Sequence, residues 1–127
     1  MDSISKRDNT VASKILREIK DIKEFISGMT EAGFYDCIKT QKAVVMSLIN
    51  IGELSKSFTS SFTNANNKIP WNKVQAMRNV AAHKYEAIDM QIVWDTIQVS
   101  VVELENELNR INSSEPPNDV IPSDEVT

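Results

Sequence analysis

The sequence predicts an all-α protein, an up-down bundle of four to five helices, and three observations carry that expectation. Only three glycines (Gly28, Gly33, Gly52) and four prolines (Pro70, Pro116, Pro117, Pro122) interrupt 127 residues, which leaves long stretches where helices run unbroken. Apolar residues recur at spacings of three and four near both ends of the chain, the period of an amphipathic helix. The composition, 41% hydrophobic and 25% charged, suits a single globular core.

The first helix is expected to start near Asp8-Asn9-Thr10, whose short polar side chains can cap free N–H groups, and to end near Gly28. Val11, Ile15, Ile19, Ile22 and Ile26 form its apolar stripe. Lys14, Arg17, Lys20, Asp21, Lys23 and Glu24 read as its solvated face. Thr30-Glu31 starts a short second helix through Phe34, Tyr35 and Cys37. A third runs from about Lys39 to Phe58, and its middle, AVVMSLINIGEL, is apolar nearly all round, which places it at the centre of the bundle. Gly52 there suits a close helix approach. Glu53 reads as a residue on the less buried side, with a sharper alternative in which it reaches toward the segment RNVAAHKY.

KSFTSSFTNANNK, residues 56–68, reads as a helix end running into a surface loop. Pro70 fits the first turn of a fourth helix, because its missing N–H costs nothing there. Trp71, Val74, Met77 and Ala81 make its apolar side. The last helix starts near Asp89 and carries Trp94, Ile97, Val101, Leu104, Leu108 and Ile111, spaced three, four, three, four, three, as in a bundle or coiled-coil seam. Residues 1–111 are thus expected to form one helical domain, and residues 112–127, with paired prolines, a disordered acidic tail.

Charge narrows the function classes. The chain holds 14 basic and 18 acidic residues, but Glu115, Asp119, Asp124 and Glu125 of the tail account for the whole excess, so residues 1–111 are balanced. There is no general basic footprint, and any RNA contact has to be local. Cys37 is the only cysteine; it reads as a small buried hydrophobe and fits a reducing cytoplasm. The N-terminus has no apolar signal region, and no run approaches a membrane span, so a cytoplasmic protein with no membrane partner is expected.

RNVAAHKY, residues 78–85, holds the only histidine. One histidine and one remote cysteine do not supply a metal-ligand set, the scattered glycines make no phosphate loop, and no GxSxG elbow is present. What remains is metal-free chemistry without a cofactor. Arg78 can hold a phosphate bidentately and His83 can move protons near neutral pH, a pair suited to RNA cleavage by the RNA's own 2'-OH. On a regular helix, however, Arg78 and His83 stand about 140° apart, whereas Arg78 and Tyr85 stand about 20° apart. Either the helix distorts after Ala82, or motifs from two chains complete each other.

IGELSKSF (51–58), IPW (69–71), RNVAAHKY (78–85), then Ile88-Asp89 and Val93-Trp94, resemble the HepT-like branch of the HEPN superfamily over roughly residues 8–111. Its hallmark is an arginine, four to six residues and a histidine, here Arg78 and His83 with four between, followed in this branch by a tyrosine, here Tyr85. The resemblance implies a homodimeric helical-bundle toxin of a toxin-antitoxin pair, a metal-independent endoribonuclease acting on mRNA or tRNA, with two motifs facing each other across a cleft. Arg78 and His83 are then the catalytic pair, with Asn79 beside them and Glu53 and Lys84 as supporting residues. The implied partner is an MntA-like minimal nucleotidyltransferase antitoxin that transfers AMP from ATP to Tyr85. Added bulk and negative charge at that position would block RNA entry and offset Arg78 or Lys84.

Two other classes compete. A non-catalytic helical dimer that binds RNA or docks a nucleotidyltransferase would keep RNA affinity after His83→Ala and make no new RNA ends. A purely structural bundle would lose only stability when Arg78 is replaced.

Overall fold

The computed structural model describes residues 4–82 and 85–113, and all of its regular structure there is helical. Helix α1 (Lys6–Phe25) packs on α3 (Ile38–Ser55) and on the C-terminal helix. Helix α3 also contacts the short α2 (Glu31–Tyr35) and α5 (Trp71–Ala76), so it is the central element, as its apolar middle predicts. Between them lies α4 (Ser60–Ala65). The C-terminal helix is built as α6 (Met90–Asp95), a π-helical stretch (Thr96–Ser100) and α7 (Val101–Ser113). The core joins Ile15, Ile19 and Ile22 of α1 to Val44, Leu48 and Ile51 of α3 and to Ile97, Leu104 and Leu108 of the C-terminal helix. No helix among the described residues is long and apolar enough to cross a membrane. Residues 114–127, which contain most of the expected acidic tail, lie outside the described residues.

The capping of α1 differs from the expectation. Ser5, not the Asp8-Asn9-Thr10 cluster, is the N-cap, and its hydroxyl oxygen accepts from the Asp8 backbone N–H at 3.1 Å. Asp8 is buried, at 3% exposure, because it serves a second helix. Its carboxylate accepts the Thr59 backbone N–H at 2.8 Å and the Thr59 hydroxyl at 2.7 Å. That orients the hydroxyl oxygen to cap α4 by accepting from Phe62 N–H at 3.1 Å. One carboxylate therefore ties two helix starts together.

Burial alone pushes the Asp8 carboxyl up, but the Thr59 backbone N–H, the Thr59 and Ser5 hydroxyls and the charge of Arg7 outweigh it, so Asp8 titrates below its ordinary range. A carboxyl depressed in the folded state stabilises fully above its unfolded pKa, about 3.9, and loses that contribution as pH falls through the folded value. Asp8→Ala is expected to cost about 2 kcal/mol at pH 7, from three lost hydrogen bonds, to Ser5 and twice to Thr59, and a stranded N–H. In urea melts from pH 7 to pH 2.5, the gap between wild type and Asp8→Ala should narrow at the acid end. A gap constant across that range would refute the assignment.

Residues 56–68 are not simply a loop. Thr59 caps α4, and Phe58 and Phe62, four apart, stack at 4.3 Å while Phe58 meets Trp71 at 5.1 Å. A polar composition concealed an aromatic cluster that buries one face of this short helix. Helix α3 accordingly ends at Ser55, whose hydroxyl donates back to the Gly52 carbonyl at 2.8 Å, rather than at Phe58. Cys37 also departs from expectation. It is half-exposed at the N-cap position of α3, with Sγ 3.1 Å from the Thr40 hydroxyl, a contact that lowers the thiol pKa.

The seam residues Ile97, Val101, Leu104 and Leu108 are buried as their spacing implies. Val93 is buried above them while Trp94 is half-buried, so the seam continues at spacings of four and four from Val101 back to Val93. Eight residues of α-helix would rotate Val101 about 80° away from Val93. The wider turn of the π stretch absorbs that excess.

Candidate active site

Helix α5 does not continue through RNVAAHKY. From Met77 to Ala82 the chain turns as a 3₁₀-helix, and a second 3₁₀ turn follows from Tyr85 to Ala87. Asn79 and β-branched Val80 are weak α-formers, and the tighter coil suits a segment held against a neighbour. The neighbour is α3. A Cβ placed on Gly52 would lie 2.6 Å from the Arg78 backbone nitrogen and 3.0 Å from the Gln75 carbonyl oxygen, so only glycine lets the two backbones meet here. The predicted close approach at Gly52 is thus an approach to the motif arginine itself. The α-helical wheel drawn over residues 78–85 ceases to apply at Met77, because 3₁₀ residues turn about 120° each.

Backbone contact at Gly52 sets where the Arg78 side chain starts. The next residue of α3, Glu53, receives it: Arg78 Nη1 donates to Glu53 Oε2 at 3.2 Å, and Lys56 Nζ lies 3.8 Å from Oε1. The structure therefore brings Glu53 to RNVAAHKY. Arg78 remains 43% exposed, and the pair is solvent-facing, so it orients the guanidinium more than it stabilises the fold. Only Nη1 is engaged among the described residues, which leaves guanidinium edges that can meet a phosphate.

Asn79, one 3₁₀ step on, turns elsewhere. It lines a groove of about 320 Å³ with Ala76, Ile88, Asp89 and Ile92, between the 3₁₀ segment and α6. Asp89 on that rim caps α6, accepting from the backbone N–H groups of Gln91 at 2.9 Å and Ile92 at 3.4 Å. Arg78 and Asn79 thus serve two different surfaces of the 3₁₀ segment. His83 and Lys84 lie outside the described residues, and for Tyr85 only the backbone is described. Among the described residues no cluster of three or more His, Cys, Asp or Glu side chains could hold a metal ion.

Sequence reasoning passed over Asn50. It sits one turn before Glu53 and donates from its side-chain amide to Glu18 of α1 at 3.3 Å, along a groove between α1 and α3 that Glu53 also lines. A signal existed in the three-residue spacing of Asn50 and Glu53, but it was masked by the apolar run around it.

Comparison with known proteins bears on the whole segment. A family described as "Ribonuclease HepT-like" matches residues 15–111. The chain is 39% identical over 83 residues to "Putative RNase MJ0127" of Methanocaldococcus jannaschii, an alignment covering 65% of this chain and 69% of that protein. It is 31% identical over 101 residues to "Putative RNase TTE0752" of Caldanaerobacter subterraneus subsp. tengcongensis, covering 80% and 90%. It is 30% identical over 97 residues to "Probable ribonuclease HepT" of Thermococcus cleftensis, covering 76% and 88%. No solved structure matches the chain.

Proposed function

This chain belongs to the ribonuclease HepT-like family, and on that premise we propose that it is a metal-independent endoribonuclease, the toxin of a toxin-antitoxin pair, acting in the cytoplasm as a homodimer. The observation that carries the reading furthest is the setting of Arg78, pinned by its backbone to Gly52 and held by one corner on Glu53. In the proposed chemistry Arg78 binds the scissile phosphate and offsets the charge that grows on its oxygens. His83 takes the proton of the adjacent ribose 2'-OH as that oxygen attacks phosphorus. The P–O5' bond breaks, the leaving oxygen collects a proton, and the products are a 2',3'-cyclic phosphate and a 5'-hydroxyl. Asn79, on the other surface of the 3₁₀ segment, positions His83 or hydrogen-bonds the phosphate across the shared site. Lys84 adds positive charge, and no cofactor takes part.

Two features support a shared site between two copies. Ile92, on the rim of the Asn79 groove, is 63% exposed, and Val99 and Val102 along the same C-terminal helix are also exposed. An apolar strip bordering the motif segment is the kind of surface a second copy covers. The test follows from the geometry of a composite site. Purified Arg78→Ala and His83→Ala chains should each fail to cleave labelled RNA, yet recover part of the activity when unfolded and refolded together, because one mixed site keeps both residues. No cleavage by the unmodified wild type would overturn the ribonuclease reading, full cleavage by His83→Ala the role of His83, and no recovery on mixing the shared site.

The proposed regulation uses the same sequence segment. A minimal nucleotidyltransferase of the MntA type would transfer AMP from ATP to the Tyr85 hydroxyl, the oxygen attacking the α-phosphate and pyrophosphate leaving. Intact mass after co-expression should rise by AMP increments and stay unchanged in Tyr85→Phe. An identical mass gain in Tyr85→Phe would rule Tyr85 out.

A further inference from the structure

The charged face of α1 does not behave as one solvated surface. Lys23 is tied to Glu105 of α7 at 2.7 Å, on the side facing the C-terminal helix. On another face, Arg7, Thr10, Lys14 and Arg17 follow one another at three, four and three residues, a stripe about 15 Å long. Lys14 and Arg17 border a groove of about 610 Å³ between α1 and α3.

Within that groove Glu53 is offset by two cations, Arg78 and Lys56, whereas Glu18 is hydrogen-bonded to a neutral amide, that of Asn50 at 3.3 Å, and keeps its charge. Lys14 and Arg17, both exposed, form no ion pair among the described residues. With Lys56 and Arg78 beside Glu53, the groove and its end hold four cations (Lys14, Arg17, Lys56, Arg78) against two carboxylates (Glu18, Glu53), a local excess in residues 1–111 whose overall charge is balanced. We propose that the groove between α1 and α3 is a track for the backbone of single-stranded RNA, with Lys14 and Arg17 as phosphate contacts, leading past Glu53 to Arg78.

The proposal rests on the ribonuclease reading and gives it a substrate path. Continuity is geometric: Glu53 lines the groove and its Oε2 is 3.2 Å from Arg78 Nη1. The remaining lining favours a sugar-phosphate chain over a protein partner. Leu54 is its one apolar residue and no aromatic ring is present, so it lacks both the apolar centre of a protein interface and a platform for stacking bases. Asn50, Thr10 and Ser57 offer instead amides and hydroxyls suited to phosphate and ribose oxygens. Contacts of that kind hold RNA without reading its sequence.

The test measures binding of fluorescein-labelled single-stranded RNA, oligouridylate and a mixed-sequence oligomer of equal length, by anisotropy in the His83→Ala background. Lys14→Glu/Arg17→Glu is expected to weaken both by about tenfold and to flatten the plot of log Kd against log salt by about 1.4, since each single-strand phosphate contact contributes about 0.7. Lys39→Glu, at an exposed position in the first turn of α3 and outside the groove, should change neither. Lys14→Gln/Arg17→Gln gives the same answer without added negative charge. With His83 intact, the double variant should raise KM for cleavage and spare kcat. Unchanged Kd and salt slope overturn the track. So does unchanged RNA binding combined with lost association with the nucleotidyltransferase, which would make the stripe a protein-docking surface. If no preparation cleaves RNA but charge reversal still weakens binding, the track stands and the ribonuclease reading falls.

Discussion

Gly52→Ala is expected to damage both the fold and the site, and the size of the effect can be argued from two opposing terms. Alanine in a helix interior gains about 1 kcal/mol over glycine. Against that, the new methyl would stand 2.6 Å from the Arg78 nitrogen and 3.0 Å from the Gln75 carbonyl oxygen, and both are backbone atoms that cannot swing aside. Overpacking of this kind costs about 1–3 kcal/mol, and rigid neighbours put the cost at the upper end. A net loss of about 2 kcal/mol, or about 10 °C in Tm, is the expected result. Relief requires the 3₁₀ segment to move off α3, which carries Arg78 with it. Cleavage by the fraction that remains folded should therefore fall as well. A variant with wild-type Tm and activity would show that α3 and the motif segment do not press together.

Arg78→Ala should give the opposite signature, a large functional loss at little structural cost. Removing a group that stabilises charge in the transition state typically costs about 10²–10³ in rate. The exposed pair with Glu53 contributes at most about 1 kcal/mol, so Tm should shift by a few degrees only. Arg78→Lys should recover little, because an ammonium is a point charge and cannot present the planar fork that grips two phosphate oxygens. Initial rates on labelled RNA together with thermal melts separate the two variants cleanly: one loses fold and function together, the other function alone. Retained cleavage by Arg78→Ala would sink the catalytic assignment.

Much of the fold was legible because long helices advertise themselves. The stripe from Val11 to Ile26 and the seam from Ile97 to Ile111 are period patterns, and the central place of α3 follows from its apolar circumference. What escaped was tertiary in origin. Ser5 rather than Asp8 caps α1 because Asp8 is claimed by Thr59, 51 residues away. Helix α4 hides in a polar stretch since its stability comes from Phe58 and Phe62 stacking with Trp71, not from local propensity. The 3₁₀ turn at Met77–Ala82 follows from contact with Gly52, which no window along the chain can register. At the candidate site Arg78 was named by its motif and Glu53 offered as reaching toward it, but choosing that over a merely less buried position took the fold, because the bond spans 25 residues. The face of α1 that read as uniformly solvated divides into a side paired with α7 and a side that borders a groove.

The π stretch at Thr96–Ser100 bears on how this chain can change length. It holds Val93, Ile97 and Val101 on one side although they are four and four apart, which is one residue more than an α-helix of that span requires. Removing one exposed residue, such as Gln98, would leave spacings of four and three, which a plain α-helix accommodates with the same apolar side chains facing inward. The helix that borders the motif groove can therefore gain or lose a residue at this point while its two ends keep their register against the rest of the bundle.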